Sequence, residues 1–262
     1  DEQVHAFAAA HGWRARSAVA PDPDAHYQSS RVIDLDALEP LAQLLTEDSN
    51  LLQRILAHQP TGYLDQLSVT FQQQQFKLHG EFREFAVTPV GDIPGVQQLS
   101  GQFWAGNDFA WLSLSGEQQQ LSWDGLFSDS WDYQQLQADI RLRQRDKQWQ
   151  LFIPQLTLQA DDFNLAAQAT LDFGQQPELS LLAQLTTLDA TKASRYYPQR
   201  YMPASTRDYL GQAIDGGTIQ QATVLWQGAF ADYPFTAGEG HFQVRADLQD
   251  GVFQFAPDWP AL

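Results

Sequence analysis

Apolar and polar residues alternate with a period of two along most of the chain. Leu67, Val69 and Phe71 alternate with polar neighbours, and Phe76, Leu78, Gly80 and Phe82 keep the same rhythm. Leu136, Ala138, Ile140 and Leu142 stand against Gln137, Asp139, Arg141 and Arg143. The cleanest run sets Phe163, Leu165, Ala167, Ala169, Leu171 and Phe173 against Asn164, Gln168, Thr170 and Asp172, and Leu179, Leu181, Ala183 and Leu185 continue it. Side chains alternate faces along a strand, so these runs predict half-buried strands with one apolar and one wet face, which favours antiparallel pairing. Turn signals at 89–95 (PVGDIPG), 105–108 (AGND), 115–118 (SGEQ) and 174–177 (GQQP) divide them. Roughly a dozen strands are expected, and at about 4.8 Å per strand a single sheet extends roughly 55–60 Å. An open sheet of that size must curl, split or close.

Two stretches break the rhythm. From Asp34 the apolar spacing becomes three and four: Leu35, Leu38, Leu41, Ala42 and Leu45, then Leu51, Leu52, Ile55 and Leu56. Asp34 or Asp48 is an expected N-cap and Pro60-Thr61-Gly62 closes the pair. A second helical stretch is expected from Asp189 to Tyr197 and from Pro203 to Ile214, with Pro203 near its first turn and Gly216-Gly217 just past its end. Strands are expected to resume at Ile219, with Asp250-Gly251 as a hairpin turn. The expected fold class is therefore mainly β: one large, highly curved antiparallel sheet with short helical insertions near 34–58 and 189–215. Residues 1–33, with PDPD at 21–24, read as an N-terminal segment or linker before a single unit over 34–262.

Charge narrows the partners. The formal net charge is −17 and the pI about 4.4, which disfavours nucleic-acid phosphates and anionic membrane surfaces. The absence of cysteine removes disulfides, thiolate catalysis and cysteine-based zinc sites. The chain has no apolar run of about 18 residues. The 36 glutamines, including QQQQ at 72–75, sit beside strand patterns and are read as the uncharged solvent side of strands.

No nucleotide, metalloprotease, serine-hydrolase or EF-hand motif is present. His5, His11, His26, His58, His79 and His241 are scattered without metal-ligand spacing, and Asp22/Asp24, Asp34/Asp36 and Asp161/Asp162 fit a linker, a helix start and a turn. No cofactor, metal or catalytic residue is expected. Thirty-two acidic residues leave a glycosidase carboxylate pair open, and Trp104, Trp111, Trp123, Trp131 and Trp149 would suit a sugar-stacking platform or, more commonly, a core. In GEGHFQVRADL (238–248) Glu239, His241, Arg245 and Asp247 share one face, while Phe242, Val244, Ala246 and Leu248 share the other. That cluster is a strand's wet side, not an acid/base site.

The C-terminal third carries a resemblance. Tyr197-Pro198, Met202-Pro203, Tyr209-Leu210, the Ala213–Gly217 helix end, Gly228, Pro234-Phe235, Gly240 with Phe242, and Trp259-Pro260 resemble the YhdP proteins of the AsmA-like superfamily, which also includes TamB. HQPTGYLDQLSV (58–69), Pro94-Gly95 leading to 99–101, and 149–171 fit more loosely, so the likeness runs from about Asp34 onward. The resemblance implies a segment of a long periplasmic protein of Gram-negative bacteria. Such proteins are anchored in the inner membrane, reach towards the outer membrane and move phospholipid along a repeating β-groove. It implies no catalytic residues.

On that reading, the groove lining expected to meet acyl chains is Phe163, Leu165, Ala167, Leu171, Leu179, Leu181, Leu185, Val224, Trp226, Phe242, Val244 and Leu248. The same apolar sets would serve a closed core. A carbohydrate-binding or glycoside-hydrolysing sandwich, and a structural spacer, stand as the alternative classes.

Overall fold

Period-two sequence folds here as long strands. A computed structural model describes residues 13–15, 26–29, 32–35, 59–72, 75–89 and 94–256. The first three strands are short: β1 (Trp13–Ala15), β2 (His26–Ser29) and β3 (Ile33–Asp34). The next six are β4 (Thr61–Gln72), β5 (Gln75–Val87), β6 (Val96–Gly106), β7 (Phe109–Leu121), β8 (Trp131–Arg145) and β9 (Gln148–Ala160). The last four are β10 (Asn164–Asp172), β11 (Glu178–Asp189), β12 (Ile214–Ala229) and β13 (His241–Phe253). All 13 belong to one antiparallel sheet, and from β4 to β13 each strand pairs with its neighbours in sequence. The path runs from β1 to β13 without closing into a barrel.

The strands are longer than the sequence pattern indicates because several turn residues lie inside them. The SGEQ stretch is mid-strand in β7, and Asp250-Gly251 is inside β13 rather than a hairpin. Gln66, Glu84, Gln98, Gln118, Thr187 and Asp250 all have left-handed backbone, with φ between 50° and 60°. Gln66, Glu84, Gln98 and Asp250 sit at breaks in strand register, as bulge residues do, while Gln118 and Thr187 lie in unbroken ladders with β8 and β12. Bulges bend a strand and raise its twist. Glu84, Gln98, Gln118 and Thr187 lie within three residues of strand ends on one margin of the sheet, where the β5–β6, β7–β8 and β11–β12 connections emerge.

That margin is the deeply buried one. Leu99, Tyr133, Leu158, Phe163 and Leu188 are at most 3% exposed, whereas Leu78, Leu142, Leu151, Leu171 and Leu179 near the opposite margin are half-buried. Among the described residues no second sheet covers this face, since strands contact their sheet neighbours and the β11–β12 insertion. Side chains left uncovered yet crowded out of water mark the concave side of a curved sheet. The bulges curl one margin over the apolar face.

The second expected insertion is present. A 3₁₀ segment spans Ala190–Tyr196, with the Asp189 carboxylate accepting from Thr191 N–H at 3.0 Å, and α1 spans Ala204–Ala213 directly after Pro203. The glycine pair does not cap α1. The chain enters β12 at Ile214, not Ile219, and Gly216-Gly217 lie at a bulge against β13. Gly217 has φ +111°, and a Cβ there would stand 2.7 Å from Gly251 Cα. The two backbones approach too closely for any side chain. Of the first expected helical region, residues 36–58 lie outside the described residues, but Asp34 is strand, held there because Ile33 buries against Leu64. Strands β1 and β2 place part of 1–33 in the same sheet.

Gly101 shows how tightly the concave face is filled. A Cβ there would meet Ser113 O at 2.0 Å and the Phe82 ring at 2.7 Å. Gly101→Val is therefore expected to destabilise the protein by about 2–4 kcal/mol in urea unfolding. Gly174→Ala, at a hairpin tip with nothing closer than 3.8 Å, is expected to stay within about 0.5 kcal/mol.

Candidate functional site

Antiparallel register turns the alternation of each strand into rows that cross the sheet. One row reads Leu64, Phe82, Gly101, Leu114, Ala138, Leu156, Ala167, Ala183, Val224 and Val244, each residue opposite the next. On one side of it run Val69, Leu78, Ala105, Ala110, Leu142, Leu151, Leu171, Leu179 and Gly228. On the other run Gly116, Leu136, Leu158, Leu165, Leu185, Ala222 and Ala246. Between the first two lie Ile153, Ala169, Leu181, Trp226 and Phe242. No charged residue occurs in these rows. The opposite face carries rows such as Asp65, Glu81, Gln102, Ser113, Asp139 and Gln155.

All twelve residues expected to line a groove stand on the apolar face, in three different settings. Leu165, Ala167, Leu171, Leu179, Leu181, Leu185 and Val224 are half-buried along the trough. Phe242, Val244 and Leu248 are open on β13, the last strand, with Val244 56% exposed. Phe163 and Trp226 are covered by other aromatic rings, at 2% and 5% exposure.

Those covering rings were not anticipated. Tyr196 stands edge-on to Phe163 and Trp131, with centroids 4.7 and 5.4 Å away. Tyr201, Phe230, Tyr233 and Phe235 gather around Trp226, each 5.2–5.6 Å from it. They come from the β11–β12 insertion and the β12–β13 connection, where the period of two stops. The only sequence signal for them is the family likeness at Tyr197-Pro198 and Pro234-Phe235.

Asp162, in the β9–β10 turn, fastens the insertion. Its carboxylate accepts from Lys192 Nζ at 2.7 Å, Arg195 at 3.0 Å and the Tyr196 hydroxyl at 3.2 Å. The Lys192 hydrogen bond, with Tyr196 and the nearby cations, holds its pKa below the ordinary carboxylate value against the cost of burial. Burial first, then the Asp162 charge, pushes the Tyr196 phenol up to about 12.

Among the described residues no three His, Cys, Asp or Glu side chains could share a metal ion. His79 stacks on Trp104, which stacks on Trp111 at 4.4 Å; their pairing with Arg141 places them on the polar face. Trp131 packs with Phe163 on the apolar face. The five tryptophans are thus divided between faces and form no single platform.

An uncharged, concave apolar face in an open antiparallel meander agrees with the likeness seen in the sequence. A family model described as YhdP protein matches residues 3–262. The chain belongs to the YhdP family. Over 237 residues it is 27% identical to a protein of Escherichia coli (strain K12) named Intermembrane phospholipid transporter YhdP. The match covers 87% of this chain and 18% of that protein, so the chain spans less than a fifth of its relative's length. No solved structure matches.

Asp162→Asn is expected to lower stability at pH 7 by about 1–2 kcal/mol, allowing for the partly exposed cations. Because the folded carboxyl titrates below its unfolded value, this stabilisation is complete above the unfolded pKa and fades as pH falls through the folded one. Thermal melts of wild type and variant should therefore converge in strong acid.

Proposed function

We propose that this chain is a segment of an inner-membrane-anchored periplasmic protein that conducts phospholipid towards the outer membrane, with the acyl chains lying in the apolar trough. The observation that carries this reading is the set of charge-free rows running from strand to strand along one concave face. Exposing an acyl chain to water costs about 0.8 kcal/mol per CH₂, so two ordinary chains cost on the order of 20 kcal/mol. A continuous apolar strip removes most of that cost at each step. The head group stays in water beside the open margin and needs no dedicated recognition motif.

The relative's name supports phospholipid as the cargo. The role is carriage and not catalysis; cofactors play no part in it. Among the described residues no helix is long and apolar enough to cross a membrane. The trough supplies a path and no energy.

Native mass spectrometry of the protein purified from cells is expected to show co-purifying phospholipid. Ala167→Asp, which sets a carboxylate in the middle row, should reduce it about tenfold, because a buried unpaired charge is costly. Gln155→Asp, on the polar face, should leave it unchanged. Equal lipid content in both variants, or none in the wild type, would defeat the reading.

A further inference from the structure

On β12 two residues of the apolar face, Ile219 and Trp226, are covered, while Ala222 and Val224 between them are half-buried. Along β12, Ile219 is 8% and Trp226 5% exposed. Their partners on β13, Leu248 and Phe242, are 46% and 39% exposed although they occupy the same rows. Part of this cover comes from the segment between β11 and α1, beside Phe230, Tyr233 and Phe235 of the β12–β13 connection. The segment's 3₁₀ turn sets Tyr196 against Phe163 and Trp131, near the bulged margin. Five residues later, Tyr201 lies on Trp226. Ile219 and Trp226 are seven residues apart, which is about 23 Å along a strand. The segment therefore reaches from the Asp162 turn at one margin to Trp226.

How it is held distinguishes it from core. Within the sheet each strand is bonded to its neighbours by a ladder of backbone hydrogen bonds. The backbone link from this segment to another part of the molecule is Gln199 N–H to Leu126 O at 2.8 Å, in the β7–β8 connection. The remaining attachments are side chains: Lys192, Arg195 and Tyr196 on Asp162, and rings on rings. The cations of these ion pairs are partly exposed, so each pair is weak individually, and the Tyr201 contact with Trp226 is apolar, so an acyl chain can replace it. The segment is tethered at its far end by α1, where Arg207 holds the Gln199 and Met202 carbonyls at 2.8 Å.

We propose that residues 190–203 form a strap that closes the trough across β11 and β12 and lifts to admit an acyl chain, with Asp162 as its fastening and Tyr201 on Trp226 as its closing contact. This rests on the lipid reading above. In the closed state the rings of the strap fill the place that the lipid's methylenes take in the open state.

The chain has no cysteine, which allows a clean lock. In the double variant Leu126→Cys/Gln199→Cys, a disulfide would pin the strap where the backbone hydrogen bond already brings the two residues together. The double variant carries photo-leucine throughout and is mixed with phosphatidylethanolamine vesicles. Lipid adducts are then mapped by mass spectrometry at Leu151, in the open trough, and at Leu185, whose β12 partner is Ala222. Oxidation should reduce adducts at Leu185 about tenfold relative to Leu151, and reduction should restore them. Equal labelling of Leu185 in both redox states overturns the strap and leaves the lipid reading standing. No adduct at Leu151 in either state overturns both. A pair that will not oxidise overturns the closed position itself. Hydrogen exchange on the cysteine-free protein gives an independent measure: amides of 190–203 should exchange far faster than those of β11 and β12, and protection equal to the strands' would mean a fixed plug.

Discussion

Register is the constraint on which the rest depends. With a side-chain period of two, a one-residue slip in any hairpin would turn that strand's apolar set to solvent and drop a line of glutamines and charges into the trough. The rows through Leu64, Ala138, Ala183 and Val244 exist because nine successive pairings are all in phase. Each pairing buries leucine-sized side chains whose burial contributes on the order of 1–2 kcal/mol apiece. The penalty for slipping is therefore many times larger than any single contact. Small residues in the rows are part of the same constraint: Gly80 leaves room for Phe103, and Gly101 for Phe82.

Bulges reconcile that strict register with curvature. A sheet kept in phase throughout would only twist. Extra residues near Glu84 and Gln98, where the β5–β6 register shifts, let one margin bend while the rows on its far side stay aligned. The side chains at these left-handed positions are polar and lie on the solvent side, which accounts for some of the glutamine. A trough with one curled, aromatic-lined margin and one open margin follows from where those residues fall.

The strands and their faces were legible in the sequence because alternation is a local property, and Phe242, Val244, Ala246 and Leu248 were assigned to one face from spacing alone. The insertion after Asp189 was legible for the same reason. Turn chemistry misled where residues serve two purposes: Asp250-Gly251 suits a hairpin as well as a bulge, Ser115-Gly116 continues an unbroken ladder with β8, and only the neighbouring strand decides. The closure over Phe163 and Trp226 was hidden, since nothing in the spacing of Tyr196, Tyr201 or Tyr233 states where those rings land. Both residues were rightly placed on the apolar face, yet they lie beneath other rings.

The meander has a consequence for how this molecule fails. Because each strand touches its sequence neighbours and little else, stability is close to a sum of nearest-neighbour terms, as in a stack of repeats. A defect in β5 weakens β4 and β6 and leaves β11 indifferent. Unfolding of such a ribbon has no single cooperative all-or-none step built into it, and damage at one place shortens the intact run of apolar rows without dissolving the remainder. Each added hairpin likewise lengthens it by about 10 Å at no cost to those already formed.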